Sequence, residues 1–346
     1  MLVVILSSKP FLLKECLTAY SKQSKNDSFL VISPKTCFTE NTRLTKEIDC
    51  DCELVCEEDF IASVNEFSFL FSGFGGLRNI GLLHAVKKEL DCVFFDDDTL
   101  PVNDCLASYR ELFKQGKEII CGKYLGHSAG STGLLLLVLS VLENYLKQKT
   151  SKQETEKKLF LLLKGIPEYS KEVFASSGLV GGNMGVSLKV AKNYCFFPSK
   201  YRVEDGSFGF LAPHYDFQVF NPQGSDASLL PVVKHEKQPV ERAFVNNLLS
   251  EAKGSVVSLC VDAKLKDVKL ESSDCAEQVY RGFLLDYFKE KISKFNALDL
   301  NENILKDLDE LRVLTPQDLI SSDFDSAFNS FFNAQALWKK ALETIS

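Results

Sequence analysis

The stretch Val93-Phe94-Phe95-Asp96-Asp97-Asp98-Thr99-Leu100-Pro101 decides how the chain reads. An apolar run is followed by three consecutive carboxylates and then a turn proline. Such a run, closed by a polar turn, is a buried strand ending at the acids. Adjacent carboxylates repel one another, so a compensating cation lowers the cost of holding them together. Divalent hard cations prefer carboxylate oxygens, which makes Mn2+ or Mg2+ the expected cofactor. A polar loop after a strand is the competing reading.

Working toward the N-terminus, Gly75-Gly76-Leu77-Arg78-Asn79-Ile80-Gly81 lies about one helix ahead of the acids. It reads as a glycine turn entering a helix over residues 79–90. Backbone N–H groups at a helix N-terminus favour anions. Arg78 adds a planar fork suited to phosphate or ribose oxygens, and Asn79 adds an amide. The alternative is a glycine turn carrying a surface arginine. Strands over 3–6, 29–33 and 92–95 alternate with helices over 11–22 and 79–90. That alternation predicts βαβ units and a mostly parallel sheet, an α/β fold. Right-handed crossovers then bring the strand C-termini to one edge, where such sheets bind ligands.

Beyond Pro101, residues 103–115 read as a helix, 118–121 as a strand and 132–148 as a long apolar-faced helix. The polar segment 149–158 reads as a solvated loop or helix end. Residues 178–188, 208–220 and 229–235 read as strands and glycine turns. After Pro239 the chain is chiefly helical. Ser322 with Asp325 resembles a capping box. Phe324, Phe328, Phe331, Ala334, Trp338, Ala341 and Ile345 then recur at helical spacing, a stripe assigned to core packing against the main domain.

Composition narrows the function classes. Net charge is -7 with no basic stripe, which argues against nucleic acid as a partner. The longest apolar stretch, 134–142, is far below the about 20 residues that span a bilayer. The start MLVVILSSKP reads as a first strand, since it has no basic n-region and its apolar run stops at Leu6. Eleven cysteines without a secretion signal predict free thiols in a reducing compartment, hence a soluble cytoplasmic protein. Cys50, Cys52 and Cys56 lack paired C-x-x-C spacing and a nearby His, so incidental thiols are expected there rather than zinc.

Taken in order, Ser7-Ser8, Arg78-Asn79-Ile80-Gly81 and Phe95-Asp96-Asp97-Asp98 with Pro101 resemble the GT-A fold glycosyltransferases, especially those like family 2. The resemblance continues in Val180-Gly181-Gly182-Asn183-Met184-Gly185, similar to a Gly-Gly-Asn segment beside sugar and acceptor. It extends to Val203-Glu204-Asp205-Gly206, similar to a Glu-Asp motif supplying a catalytic carboxylate. His235 follows 31 residues after Glu204, about where several GT-A enzymes place a third metal ligand. The resemblance implies a Rossmann-like GT-A catalytic domain over 1–237 and a helical C-terminal extension over 238–346. The first half of that domain would hold the nucleotide sugar and the second half the acceptor.

The implied activity is metal-dependent transfer of a sugar from a nucleoside-diphosphate sugar to a hydroxyl acceptor. The implied roles are Asp205, or Glu204, as catalytic base, and Asp96, Asp98 and His235 on the metal. Nucleotide-sugar contacts are implied for Ser7, Ser8, Arg78, Asn79, Asp96, Asp97, Gly182 and Asn183. His214 competes with His235 for the ligand role. The chemistry agrees with the name, since a bound cation neutralises the charge that appears on a diphosphate leaving group.

Two features depart from the pattern. No Gln-x-x-Arg-Trp motif follows Glu204-Asp205, which disfavours a polymer synthase. The acid usual after the first strand is replaced by Ser7-Ser8-Lys9-Pro10. A sugar-nucleotide nucleotidyltransferase would need a glycine-rich basic loop there, and none is present. A non-catalytic nucleotide-sugar-binding protein of the same fold is the second alternative. The donor sugar and base, the acceptor, the stereochemical outcome and the assembly state, homo-oligomer included, are not fixed by the sequence.

Overall fold

The computed structural model describes residues 1–24, 26–125, 131–164, 173–174, 179, 181–221, 230–235, 243–293 and 300–345. The side chains of residues 131, 132, 173, 174, 235 and 243 lie outside that description. The first elements are β1 (Leu2–Leu6), α1 (Pro10–Ser21), β2 (Ser28–Ser33), α2 (Lys35–Lys46), β3 (Cys52–Cys56) and α3 (Glu57–Ser63). A 3-10 turn over Asn65–Phe71 leads into α4 (Gly73–Lys88), β4 (Cys92–Asp96), β5 (Thr99–Pro101) and α5 (Cys105–Lys114). Next come β6 (Ile119–Cys121), β7 (Lys123–Leu125), α6 (Ser131–Leu146), α7 (Lys152–Leu163), β8 (Val173–Phe174) and β9 (Asn183–Val186). They are followed by α8 (Leu188–Ala191), α9 (Glu204–Leu211), β10 (Val219–Phe220) and β11 (Val232–His235). The remainder is helical: α10 (Ala243–Leu265), α11 (Ser272–Gly282), α12 (Leu285–Ile292), α13 (Glu302–Val313) and α14 (Phe324–Ile345).

The central sheet has seven strands in the order β10-β6-β9-β4-β1-β2-β3. All neighbours are parallel except β9, which runs antiparallel to both β4 and β6. The chain is thus a mixed α/β protein with a mainly parallel central sheet. Residues Leu2 to Ile5 of β1 and Cys92 to Phe95 of β4 are wholly buried. Strands covered on both faces need unbroken apolar sequence, and this is what made them legible. Successive side chains alternate between faces, so Val4 and Phe94 join one core while Val3, Ile5, Val93 and Phe95 join the other. A second sheet, β5-β11-β7-β8, stands beside the first.

A separate helical core is built from α6, α7 and α10 to α13, so helices from both sides of position 237 share it. Helix α14 returns to the α/β core. Its Ala334, Trp338, Ala341 and Leu342 pack there, and Trp338 Nε1 donates to the Ala191 carbonyl at 2.8 Å. That helix opens at Phe324, one residue later than a Ser322–Asp325 capping box requires. Among the described residues no helix is long and apolar enough to cross a membrane.

Three expectations change. Helix α4 begins at Gly73, and its first turns contain Gly75 and Gly76 instead of following them. A Cβ on Gly75 would lie 1.8 Å from the Phe197 carbonyl oxygen, and one on Gly76 would lie 2.2 Å from the Phe71 carbonyl carbon. These glycines serve close packing inside a helix, which a turn reading cannot distinguish. Residues 208–211 belong to α9 and not to a strand. The polar segment 149–158 is a short loop and the N-terminal end of α7, capped by Ser151, in keeping with the helix-end reading. Cys260 and Cys275 pair as a disulfide between the neighbouring helices α10 and α11, leaving nine free thiols.

Candidate functional site

Strands β1 and β4 are in parallel register with Leu6 opposite Asp96, so both end side by side. Strand β9 is antiparallel, which brings the residues before it, Gly181 and Gly182, to that same edge. Here the three acids part company. Asp97 turns inward, its Oδ2 accepting from the backbone N–H groups of Ser8 at 2.9 Å and Lys9 at 2.8 Å. Burial, set against the Lys9 N–H bond and reinforced by Asp98 and Asp96, pushes its pKa up to about 6. Asp97 therefore closes the turn between β1 and α1. Asp98 is 13% exposed with an oxygen 3.8 Å from Lys9 Nζ. Asp96 is the most open at 38%, with Oδ1 3.6 Å from Arg78 Nη2. The triplet finds these partners within the chain, so its repulsion by itself does not require a metal.

Arg78 lies in the second turn of α4 and not at the helix N-terminus, because α4 starts earlier than expected. Its side chain is 7% exposed and its Nη1 donates to Glu204 Oε1 at 2.5 Å. Among the described residues its buried Nε has no hydrogen-bond partner. The guanidinium lies against the backbone of Gly181, where a Cβ would come within 2.0 Å of Nη2. Glu204 is pushed up to about 7, chiefly by burial, with Arg78 pulling down and Asp205 pushing up. Asp205 is half-buried and accepts from Gly181 N at 2.5 Å and Gly206 N at 2.7 Å. A Cβ on Gly182 would lie 2.6 Å from Asp96 Oδ2 and 3.0 Å from the Tyr124 hydroxyl. The Gly181–Gly182 backbone is thus clasped by Arg78, Asp96, Asp205 and Tyr124.

Other predicted residues sit deeper. Asn79 is fully buried, donating to the Leu70 and Phe196 carbonyls and accepting from Phe196 N. Asn183 is likewise buried, donating to the Lys123 and Pro231 carbonyls and accepting from the Tyr109 hydroxyl. Both amides tie segments of the fold together, where sequence had aimed them at a ligand. Ser7 is buried with its hydroxyl against the Asn41 amide, whereas Ser8 is exposed at the edge. His214 pairs with Asp262 at 2.8 Å. The backbone of His235 is paired with Thr99, the residue after Asp98. Its side chain, with Val180 and His127, falls outside the described residues. Tyr124 was missed; it sits in a short strand that gives no motif. Its neighbours Asp96 and Asp205, after burial, raise its pKa well above the ordinary value.

Among the described residues no three His, Cys, Asp or Glu side chains converge as a metal-holding group, Cys50, Cys52 and Cys56 included. Two surface cavities of about 350 and 360 Å³ lie elsewhere, lined by none of the predicted site residues. No protein-family model matches the chain, and no curated protein sequence does. Among solved structures, the apo form of mouse xyloside xylosyltransferase 1 is similar at 12% identity and a TM-score of 0.29. The match covers 66% of this chain and 79% of that one, and a likeness so slight carries no functional argument.

Proposed function

We propose that the chain is a glycosyltransferase of GT-A type. In this reading it moves a sugar from a nucleoside-diphosphate sugar to a hydroxyl acceptor with the help of Mn2+ or Mg2+. The observation that supports this best is the meeting of Asp96 and Asp205 at the Gly181–Gly182 backbone, with Arg78 beside them, at the C-terminal edge of β1 and β4. Ligands of open α/β sheets occupy that edge.

The donor set suits a hard cation. Mg2+ is commonly held by one or two carboxylates together with substrate phosphates, so Asp96 and Asp98, joined by His235, would hold it. When bound, the cation supplies charge neutralisation for the departing diphosphate. Asp205, fixed in direction by the Gly181 and Gly206 N–H groups, is the group to take the acceptor proton. Glu204 is buried against Arg78.

The test is incubation with a panel of nucleotide sugars, with and without chelator. Nucleoside diphosphate released only when the cation is present supports the reading. Pyrophosphate marks a nucleotidyltransferase instead, and the absence of both products marks a binding protein.

A further inference from the structure

Val203, which leads into Glu204 and Asp205, has φ of +82° and ψ of +16°. Left-handed backbone crowds Cβ against the carbonyl, and a branched Cβ suffers most. Among the described residues six other non-glycine residues have positive φ: Asn65, Glu89, Gln148, Asp216, Asp267 and Leu284. None of them is β-branched. Residues before a helix are ordinarily extended, so neighbouring structure must hold Val203 where it is.

Helix α10 supplies that hold through small residues four apart. The Ser250 hydroxyl accepts from Arg202 N at 2.9 Å. Gly254 comes so close that a Cβ would lie 2.5 Å from the Arg202 carbonyl oxygen and 2.6 Å from Val203 Cγ2. The Ser258 hydroxyl is hydrogen-bonded to that of Ser207 in α9. Residues four apart share one helix face, so a single ridge of α10 grips the turn on both sides of Val203.

We propose that Val203 is a positioning residue: gripped by α10 at Gly254, it aims Asp205 at the Gly181 N–H and Glu204 at Arg78. The helical core thereby reaches the candidate site. The kinetic arm of the test rests on the glycosyltransferase reading, and the exchange arm does not.

The full chain is compared with Val203→Gly, which removes the gripped side chain, and with Gly254→Ala, which pushes the turn from the other side. Gly282→Ala is the control, since nothing lies within 4 Å of a Cβ there. Hydrogen exchange at Gly181 N–H should speed up about tenfold in both variants, as expected for loosening one bond to a charged acceptor. The β1 amides and the Gly282→Ala control should stay unchanged. With an accepted donor, turnover should fall about tenfold while its KM stays within about twofold. Unchanged Gly181 exchange overturns the proposal, and so does exchange that rises equally in β1, since that is general destabilisation. If Gly254→Ala does not fold, Val203→Gly decides alone. If the parent chain transfers no sugar, the functional reading fails, and exchange still decides the role of Val203.

Discussion

Replacing Arg78 with Met keeps most of the buried volume and leaves Glu204 without its cation. Glu204 is 8% exposed, and even with Arg78 at 2.5 Å burial pushes its pKa up to about 7. Without Arg78 the value climbs further, because burial and Asp205 then meet less opposition. The folded chain holds this proton more tightly than the unfolded chain, whose reference value is 4.5. The contribution of Glu204 to stability is therefore fully present below the unfolded value and falls as pH rises. In the parent chain the fall ends near pH 7, where Glu204 ionises against Arg78. In Arg78→Met it continues. The stability difference between the two should stay nearly flat below about pH 7 and then grow by about 1.4 kcal/mol per pH unit, reaching about 3 kcal/mol near pH 9. That agrees with the about 3–5 kcal/mol typical of breaking a buried pair. Urea unfolding across this range measures the difference, and adding Glu204→Gln should abolish its growth, since Gln does not titrate. A pH-independent difference would refute Arg78 as the counter-charge of Glu204.

Three further outcomes are expected. Gly182→Ala should raise the Mn2+ concentration for half-maximal activity about tenfold by displacing Asp96, with stability changed by less than about 1 kcal/mol because only side-chain ends are in the way; an unchanged metal requirement in a metal titration counts against Asp96 as a ligand. Asp205→Asn should lower turnover by roughly two to four powers of ten while nucleoside-diphosphate affinity, measured by calorimetry, stays nearly constant. Trp338→Ala should cost about 3–5 kcal/mol in urea unfolding, since the ring is wholly buried and its N–H is bonded.

Strands β1, β2 and β4 were legible because burial on both faces writes an unbroken apolar run, as in Val93 to Phe95. The acids at the end of β4 were legible for the same reason. Helix α2 and strand β3 were not, since α2 buries only Asn41 and Leu44 and β3 is an edge strand buried only at Cys56. At the site, residue types were readable and directions were not. Nothing local says that Asp97 folds back onto Ser8 and Lys9 while Asp96 faces Arg78. Asn79 and Asn183 look like ligand-reading amides in sequence, yet their partners are carbonyls of Phe196 and Pro231, 117 and 48 residues away. Gly75 and Gly76 misled because glycine marks both turns and close helix packing, and only the neighbour distinguishes the two.

The return of α14 has a consequence for synthesis on the ribosome. Ala334, Trp338, Ala341 and Leu342 complete the core that β1, β4 and α4 begin, more than two hundred residues after β4. As the nascent chain emerges, β1 to β4 and α4 come first, β9 and β10 join the sheet only after α6 and α7, and the α14 share of its core arrives last. The helical core, by contrast, has its buried members once Leu319 has emerged, ahead of α14. The α/β core, begun first, is thus completed last, and the apolar surface that α14 covers stays open to a nascent-chain chaperone until then.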